Sequence, residues 1–320
     1  MTSALQQRYH KALSHCVLFH VEDWSVILLS GRDVRDYLNR ISTADFRTMQ
    51  KGEARQTLFL NSDGRLVADC IAVTQDAENW LIVVAEANRE ALLQQIDRFL
   101  FSEDVKVSDA PSGFFVGLGA GDRIESFTTY LEGLDTGSGG WNVSLAPGIP
   151  RRLFCWERNW FQSHKREIYE WLSGSECVVG DEDLYEVLRI EAGIPVVGSE
   201  LSDRTIPLEA NLESAISFTK GCYPGQEIIA RIKHLGHPAN CLVALALPET
   251  SDPLVGSELT ANGKVVGRIT SAVYSPALKG MLGMGYVKWG YRETGMLLGV
   301  KNHDQYQVHV VDFPVRGGNV

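Results

Sequence analysis

Lys220-Gly221-Cys222-Tyr223-Pro224-Gly225-Gln226-Glu227 gathers a thiol, an ammonium, an amide and a carboxylate in one short stretch, and Arg231 lies four residues beyond it. Glycine and proline enforce a tight turn, so Cys222 is predicted to stand on a shaped loop of the kind that carries function. Lys220 and Arg231 would favour a thiolate, the form of cysteine that attacks electrophiles and binds metals. Gln226 and Glu227 could hold a ligand or brace the loop. A cysteine hydrolase would need a histidine base oriented by a third group. His234 and His237 are near in sequence, but nothing marks either as that base. Cys222, His234 and His237 match no zinc spacing.

Two carboxylates fall on apolar faces. In Leu66–Val73, the residues Leu66, Ala68, Cys70 and Ala72 take one side of a strand. Val67, Asp69, Ile71 and Val73 take the other. Both sides are apolar, as in a strand covered on both faces, and Asp69 is the one charge in the run. Its structural alternative is a strand-end residue that binds a turn. Residues 181–192 place Leu184, Leu188 and Glu191 on one helical stripe. Gly193 closes that helix and Pro195 prevents its continuation. A carboxylate facing a core must be paired, hydrogen-bonded or neutral, so Glu191 either meets a ligand or pairs with a base such as Arg189. An inward Asp and an inward Glu together point to a cavity for a polar, nitrogen-rich ligand.

Short strands and amphipathic helices must hold these groups. Strands are predicted at 16–20, 25–29, 56–60, 66–73 and 80–85, where Val, Ile, Leu and Phe lie between polar turns. Val34, Tyr37, Leu38 and Ile41 set a helix at 31–41, and Leu92, Leu93, Ile96, Phe99 and Leu100 set one at 89–101. A strand at 114–118, a helix at 122–134, a flexible loop at 135–140 and helices at 164–172 and 181–192 continue the alternation. Beyond Asn240 the texture changes. Strands at 241–247, 264–274, 280–287, 296–300 and 305–315 are divided by Gly, Pro, Asn and Asp, with no helical pattern between them. That is the texture of a small barrel or sandwich.

The 320 residues exceed the roughly 250–300 that one core fills. The layout is α+β in three parts: 1–110, 111–239 and 240–320. Forty acidic residues against 30 basic ones give a net charge of −10, which opposes phosphate-backbone binding, so no direct nucleic-acid partner is expected. The N-terminus lacks a signal-peptide core, and no apolar run approaches the ~18 residues of a membrane span. A cytoplasmic protein without membrane contact is expected. The cysteines at 16, 70, 155, 177, 222 and 241 form no C-x-x-C, hence neither a disulfide framework nor a self-contained metal site. Cys16, Cys70 and Cys241 lie at or inside apolar runs and read as packing thiols.

Residues 220–227 resemble the K-G-C-Y-x-G-Q-E motif of the YgfZ-type folate-binding proteins, relatives of the glycine-cleavage T-protein, an aminomethyltransferase. Arg189-Ile190-Glu191-Ala192-Gly193-Ile194-Pro195 and Pro207-Leu208-Glu209-Ala210-Asn211 are similar to the wider T-protein superfamily. So are Phe59-Leu60-Asn61-Ser62-Asp63-Gly64-Arg65 running into Asp69, Gly267-Arg268-Ile269-Thr270-Ser271 and Gly285-Tyr286-Val287. The resemblance covers most of the chain, in order.

That resemblance implies a fold of α+β units around a central folate pocket, closed by a C-terminal β-barrel. It implies tetrahydrofolate or a one-carbon derivative as the cofactor. By the same likeness Glu191 would contact the pterin, and Asp69 would lie at the same site in a catalytic position. The T-protein branch carries two adjacent acids where this chain has Ala68-Asp69. Lys220, Tyr223, Gln226, Glu227 and Arg231 would serve the folate site beside Cys222. The role implied is an accessory one in assembly or repair of iron–sulfur clusters, with client or assembly proteins as partners. A transient cluster contact would fall to Cys222, and any effect on tRNA modification would be indirect. The alternatives are a folate-dependent aminomethyl or one-carbon transferase, and a binding module whose basic 231–237 tip docks a partner.

Overall fold

Apolar runs and helical stripes set most elements of this chain, for which the computed structural model describes residues 3–109, 114–121, 123–132, 134, 141–142 and 151–315. The chain opens with α1 (Ser3–Ser14), β1 (Val17–His20), β2 (Trp24–Ser30), α2 (Val34–Ile41), β3 (Ala54–Leu60), β4 (Leu66–Thr74), β5 (Asn79–Ala85), α3 (Glu86–Phe99) and β6 (Lys106–Asp109). It continues through β7 (Phe114–Ala120), α4 (Ile124–Glu132), β8 (Trp141–Asn142), β9 (Arg151–Glu157), α5 (Arg158–Gly174), β10 (Val178–Gly180), α6 (Glu182–Ala192) and α7 (Gln226–Leu235). The last part holds β11 (Asn240–Leu247), β12 (Glu258–Ala261), β13 (Lys264–Ser275), β14 (Gly280–Lys288), β15 (Leu297–Val300) and β16 (His303–Val311). The predicted loop at 135–140 lies outside the described residues.

The first sheet has the order β3-β4-β5-β2-β6 with every neighbour antiparallel. One face carries α2 and α3, whose Tyr37, Leu38, Leu92 and Ile96 pack on Ala68, Cys70, Ala72 and Ile82. From the opposite face of β4, Ile71 and Val73 meet Val17, Phe19, Leu118 and Leu184. The strand is therefore covered on both sides. Each such side chain contributes about 1.5–3 kcal/mol on burial, which fixes the direction in which Asp69 points.

The second sheet has the order β10-β1-β7-β9-β8, with β1 and β10 parallel. It takes β1 from ahead of the first sheet, so the strands of the first two parts interleave. Beyond it, α4 and α5 bury Phe127, Phe161, Ile168 and Leu172 against Leu18, Phe154 and Trp156. Cys16 and Cys177 are joined as a disulfide with Cα atoms 4.7 Å apart, which corrects the reading of Cys16 as a packing thiol. Each directly precedes a partner in the parallel ladder, Val17 and Val178. A separation of 161 residues hides that neighbourhood in the sequence.

The third part is a closed barrel in the order β11-β14-β13-β12-β15-β16, with β11 also pairing β16. Barrel closure leaves no free strand edge. Leu242, Ala244, Leu282 and Met284 pack on Ile190 of α6, so the barrel is seated on the helix that carries Glu191.

Candidate functional site

In the β3–β4 ladder Leu58 lies opposite Asp69, and Gln56 lies opposite Ile71. Gln56 thus reaches Asp69 across the diagonal, within range of a long side chain. Its Nε2 donates to Oδ1 at 2.9 Å and to Oδ2 at 3.0 Å. Asp69 lies deep in the protein, with part of its side chain open to a cavity between the two sheets. Trp24, Ile71, Val83, Leu118, Tyr185 and Leu212 supply the apolar walls of this cavity of about 80 Å³. Burial pushes the Asp69 carboxyl up to about 6, against the weaker pull of the Gln56 amide. The group can accept N–H donors in its ionised form, and it exchanges a proton near neutrality.

Glu191 has a different place. Asp181 caps α6 by accepting from the Leu184 amide at 3.1 Å, and Gly193 closes the helix at φ 72°. Glu191 is only 4% exposed. Its Oε2 accepts from the Tyr9 hydroxyl at 2.7 Å, and its Oε1 accepts from the Ser275 hydroxyl at 2.5 Å and the Ala277 amide at 3.2 Å. Burial raises its pKa. These bonds tie α6 to α1 and to the end of β13, and Glu191 does not line the Asp69 cavity. The expectation of two acids facing one ligand is corrected accordingly. Leu184 and Leu188 point into the seam, and Glu191, almost a turn further on, reaches α1 and the barrel instead. Arg189, the alternative partner, bonds to Glu186 and Glu200 rather than to Glu191.

The thiol loop docks on the β3–β4 turn. Gly225 has φ +80°, and a Cβ there would stand 2.6 Å from the Asn61 carbonyl oxygen and 2.8 Å from the Gly64 Cα. Only glycine allows both the left-handed backbone and that approach. Lys220 turns inward, donating to the carbonyls of Ser42 at 2.8 Å and Ala44 at 2.5 Å. Burial pushes its pKa down to about 8. Tyr223 is buried among Leu58, Leu60, Leu66 and Leu212. Arg231 donates to Glu227 along α7 at 3.1 Å, both side chains being exposed. Cys222 is free and exposed. The structure thus corrects the expectation that Lys220 and Arg231 attend the thiol, since each bonds elsewhere. None of Lys220, Cys222, Tyr223, Gln226, Glu227 and Arg231 lines the Asp69 cavity, although Tyr223 shares Leu212 with its wall.

Residues 1–116 match the GCVT N-terminal domain, and residues 240–315 match the glycine cleavage T-protein C-terminal barrel domain. The two ends of the chain thus each match a domain of the T-protein type. Among curated relatives of this T-protein-like chain, the aminomethyltransferase of Streptomyces coelicolor is 25% identical, over 92% of this chain and 86% of its own length. That of Desulfitobacterium hafniense is 28% identical, over 91% and 84%. The crystal structure of glycine cleavage system aminomethyltransferase T from Bartonella henselae aligns with a TM-score of 0.83 at 18% identity, covering 97% of this chain and 89% of that one. The shared fold is an α+β T-protein-like body with a closed C-terminal barrel.

Sequence reasoning missed Gln56 and Tyr185. Gln56 was a polar residue opening a predicted strand, and only the register shows that it shares a face with Asp69. Tyr185 sat in the predicted helix just outside the Leu184–Leu188–Glu191 stripe. Among the described residues, no group of three or more His, Cys, Asp or Glu could hold a metal. No described helix is long and apolar enough to cross a membrane.

Proposed function

We propose that this protein binds tetrahydrofolate, or a one-carbon derivative of it, in the Asp69 cavity, and that it serves as an accessory protein in assembly or repair of iron–sulfur clusters in client enzymes. The observation that carries the folate reading is a lone carboxyl, held by one amide, at the wall of an apolar seam. A pterin is flat and presents N–H donors along one edge. Apolar walls suit its faces and an acceptor-only carboxylate suits that edge. Bound folate would supply one-carbon chemistry. Gln56 orients Asp69, the apolar walls would hold the faces of the ring, and Asp69 accepts donors or a proton at its free oxygen positions.

The iron–sulfur part is supported by the likeness of residues 220–227 to the YgfZ-type motif and by the free, exposed thiol of Cys222. A cluster normally takes four thiolates, so contact through Cys222 would be transient and shared with a client or assembly protein. The net charge of −10 favours an indirect rather than a direct effect on tRNA, and a cytoplasmic location belongs to the same proposal. In a strain lacking the protein, Cys222→Ala is expected to bind folate normally yet leave iron–sulfur enzyme activity unrestored. Full restoration by that variant would refute the role of the thiol.

A second reading is one-carbon transfer, and the Asp69 carboxyl at about 6 favours it, because a proton acceptor poised near working pH is an efficient base. The relatives from Streptomyces coelicolor and Desulfitobacterium hafniense are named aminomethyltransferases. It requires methylene-tetrahydrofolate formation from an aminomethylated lipoyl carrier. A protein that binds tetrahydrofolate but stays inert in that assay excludes it.

A further inference from the structure

Glu209, Arg268, Thr270 and Tyr286 belong to sequence stretches that the Asp69 cavity does not use, and they meet in a cleft between residues 198–209 and the barrel strands β11, β13 and β14. The cleft measures about 390 Å³, within the roughly 300–1,000 Å³ of small-molecule sites. Its floor is fixed by hydrogen bonds. The Tyr286 hydroxyl donates to the Glu200 carbonyl at 3.1 Å, and the Thr270 hydroxyl to the Glu200 carboxylate at 2.8 Å. Glu200 also pairs with Arg189, so its charge is already answered. Three other charges are left for a ligand. Arg204 and Arg268 line the cleft as exposed residues, and neither guanidinium has a hydrogen bond or ion pair with another described residue. Glu209 is only 9% exposed. Its Oε1 accepts from the Asn240 backbone amide at 3.0 Å and from Asn240 Nδ2 at 3.1 Å, while its Oε2 has no such partner among the described residues. A largely buried carboxylate oxygen without a donor favours a ligand that brings one.

We propose that this cleft binds a free acidic amino acid, a ligand with two carboxylates and one ammonium group. The guanidinium groups of Arg204 and Arg268 take the carboxylates through charge-assisted N–H···O bonds, and Oε2 of Glu209 takes the ammonium. Two cations and one anion on the protein thus meet two anions and one cation on the ligand. A glutamyl residue inside a longer molecule has its nitrogen acylated and brings no ammonium, so the free amino acid is the form that fits. Inorganic phosphate answers the arginines but adds negative charge beside Glu209. The site is independent of the folate reading.

The test is calorimetric titration of the full chain, at constant ionic strength, with L-glutamate and L-aspartate. Glutarate and succinate, the same diacids without the ammonium, and inorganic phosphate are titrated beside them. Wild type is expected to bind at least one of the amino acids about tenfold or more tightly than its diacid and than phosphate. Glu209→Gln keeps the acceptor for Asn240 and should erase the preference for the amino acid over the diacid. Arg204→Gln and Arg268→Gln should each weaken amino-acid binding at least about tenfold. Their melting temperatures should match wild type, since neither side chain ties the fold together. Asp69→Asn should bind the amino acid as wild type does. The proposal is overturned if neither amino acid binds, if the diacid or phosphate binds as tightly, or if the arginine variants match wild type.

Discussion

Asp69 stands at the wall of the seam and Lys220 is buried, and each is held by partners that leave it chemically usable. The folded chain keeps a proton on Asp69 up to about 6, whereas an ordinary carboxyl releases it near 3.8. Between those values the folded state binds the proton that the unfolded state gives up. The stability due to this group is therefore full below about pH 4 and is lost as pH rises through about 6, to the extent of about 3 kcal/mol. Asp69→Asn should remove that slope and make the protein up to about 3 kcal/mol more stable than wild type at pH 8, with little gain at pH 4. Urea denaturation of both proteins at the two pH values checks this, and parallel pH profiles would contradict it. Lys220 lies lower, at about 8, and still carries charge at pH 7. Lys220→Met leaves the Ser42 and Ala44 carbonyls unpaired and should cost about 3 kcal/mol by the same measurement. Asp69 was legible in the sequence because it is the one charge in a strand apolar on both sides. The carbonyls that hold Lys220 carry no residue signature, so a loop lysine read as a partner for Cys222.

At the scale of elements, the β3–β4 turn and the loop ahead of α7 form one unit through two glycines. A Cβ on Gly64 would touch Ile228 at 3.0 Å, and one on Gly225 would strike the turn itself. Gly225→Ala should cost at least about 2 kcal/mol from its left-handed backbone and the collision. It should also speed hydrogen exchange at residues 61–65. Gly221, where a Cβ meets nothing within 4 Å, provides the control, and Gly221→Ala should stay within about 0.5 kcal/mol. Equal effects of the two substitutions would refute the docking. The helix carrying Glu191 was legible from its stripe and from Gly193 and Pro195. The helix α1 was not read, although Leu5, Tyr9 and Ala12 have helical spacing. Its polar residues dilute that pattern, and tertiary contacts of Tyr9 and Ala12 in the seam hold it.

Across the whole molecule, α6 and the segment after it fasten the barrel to the two sheets. Arg189 donates to the fully buried Glu200 at 3.1 Å and to Ser271 of β13 at 3.1 Å. Glu200 also accepts from the hydroxyls of Thr270 and Ser271. Glu191 adds the second tie through Ser275. Removing one member of a buried pair strands the other, so Arg189→Met should cost about 3–5 kcal/mol in thermal or chemical denaturation. A change below about 1 kcal/mol would show that the latch is dispensable. The barrel was legible from the run of short strands after Asn240. The interleaving was not, because β1 pairs with β7 and β10, both distant in sequence, and hydrophobic patterning encodes strand faces rather than neighbours. For the same reason Cys16 looked like a packing thiol, and two inward acids looked like one site.

The central claim, that folate occupies the seam at Asp69, is tested most directly by calorimetric titration of tetrahydrofolate into wild type, Asp69→Asn and Glu191→Gln. One equivalent should bind to wild type and to Glu191→Gln with similar affinity. Asp69→Asn should bind at least about tenfold more weakly, the loss of one charge-assisted hydrogen bond. Absence of binding to wild type, or equal binding by wild type and Asp69→Asn, would contradict it.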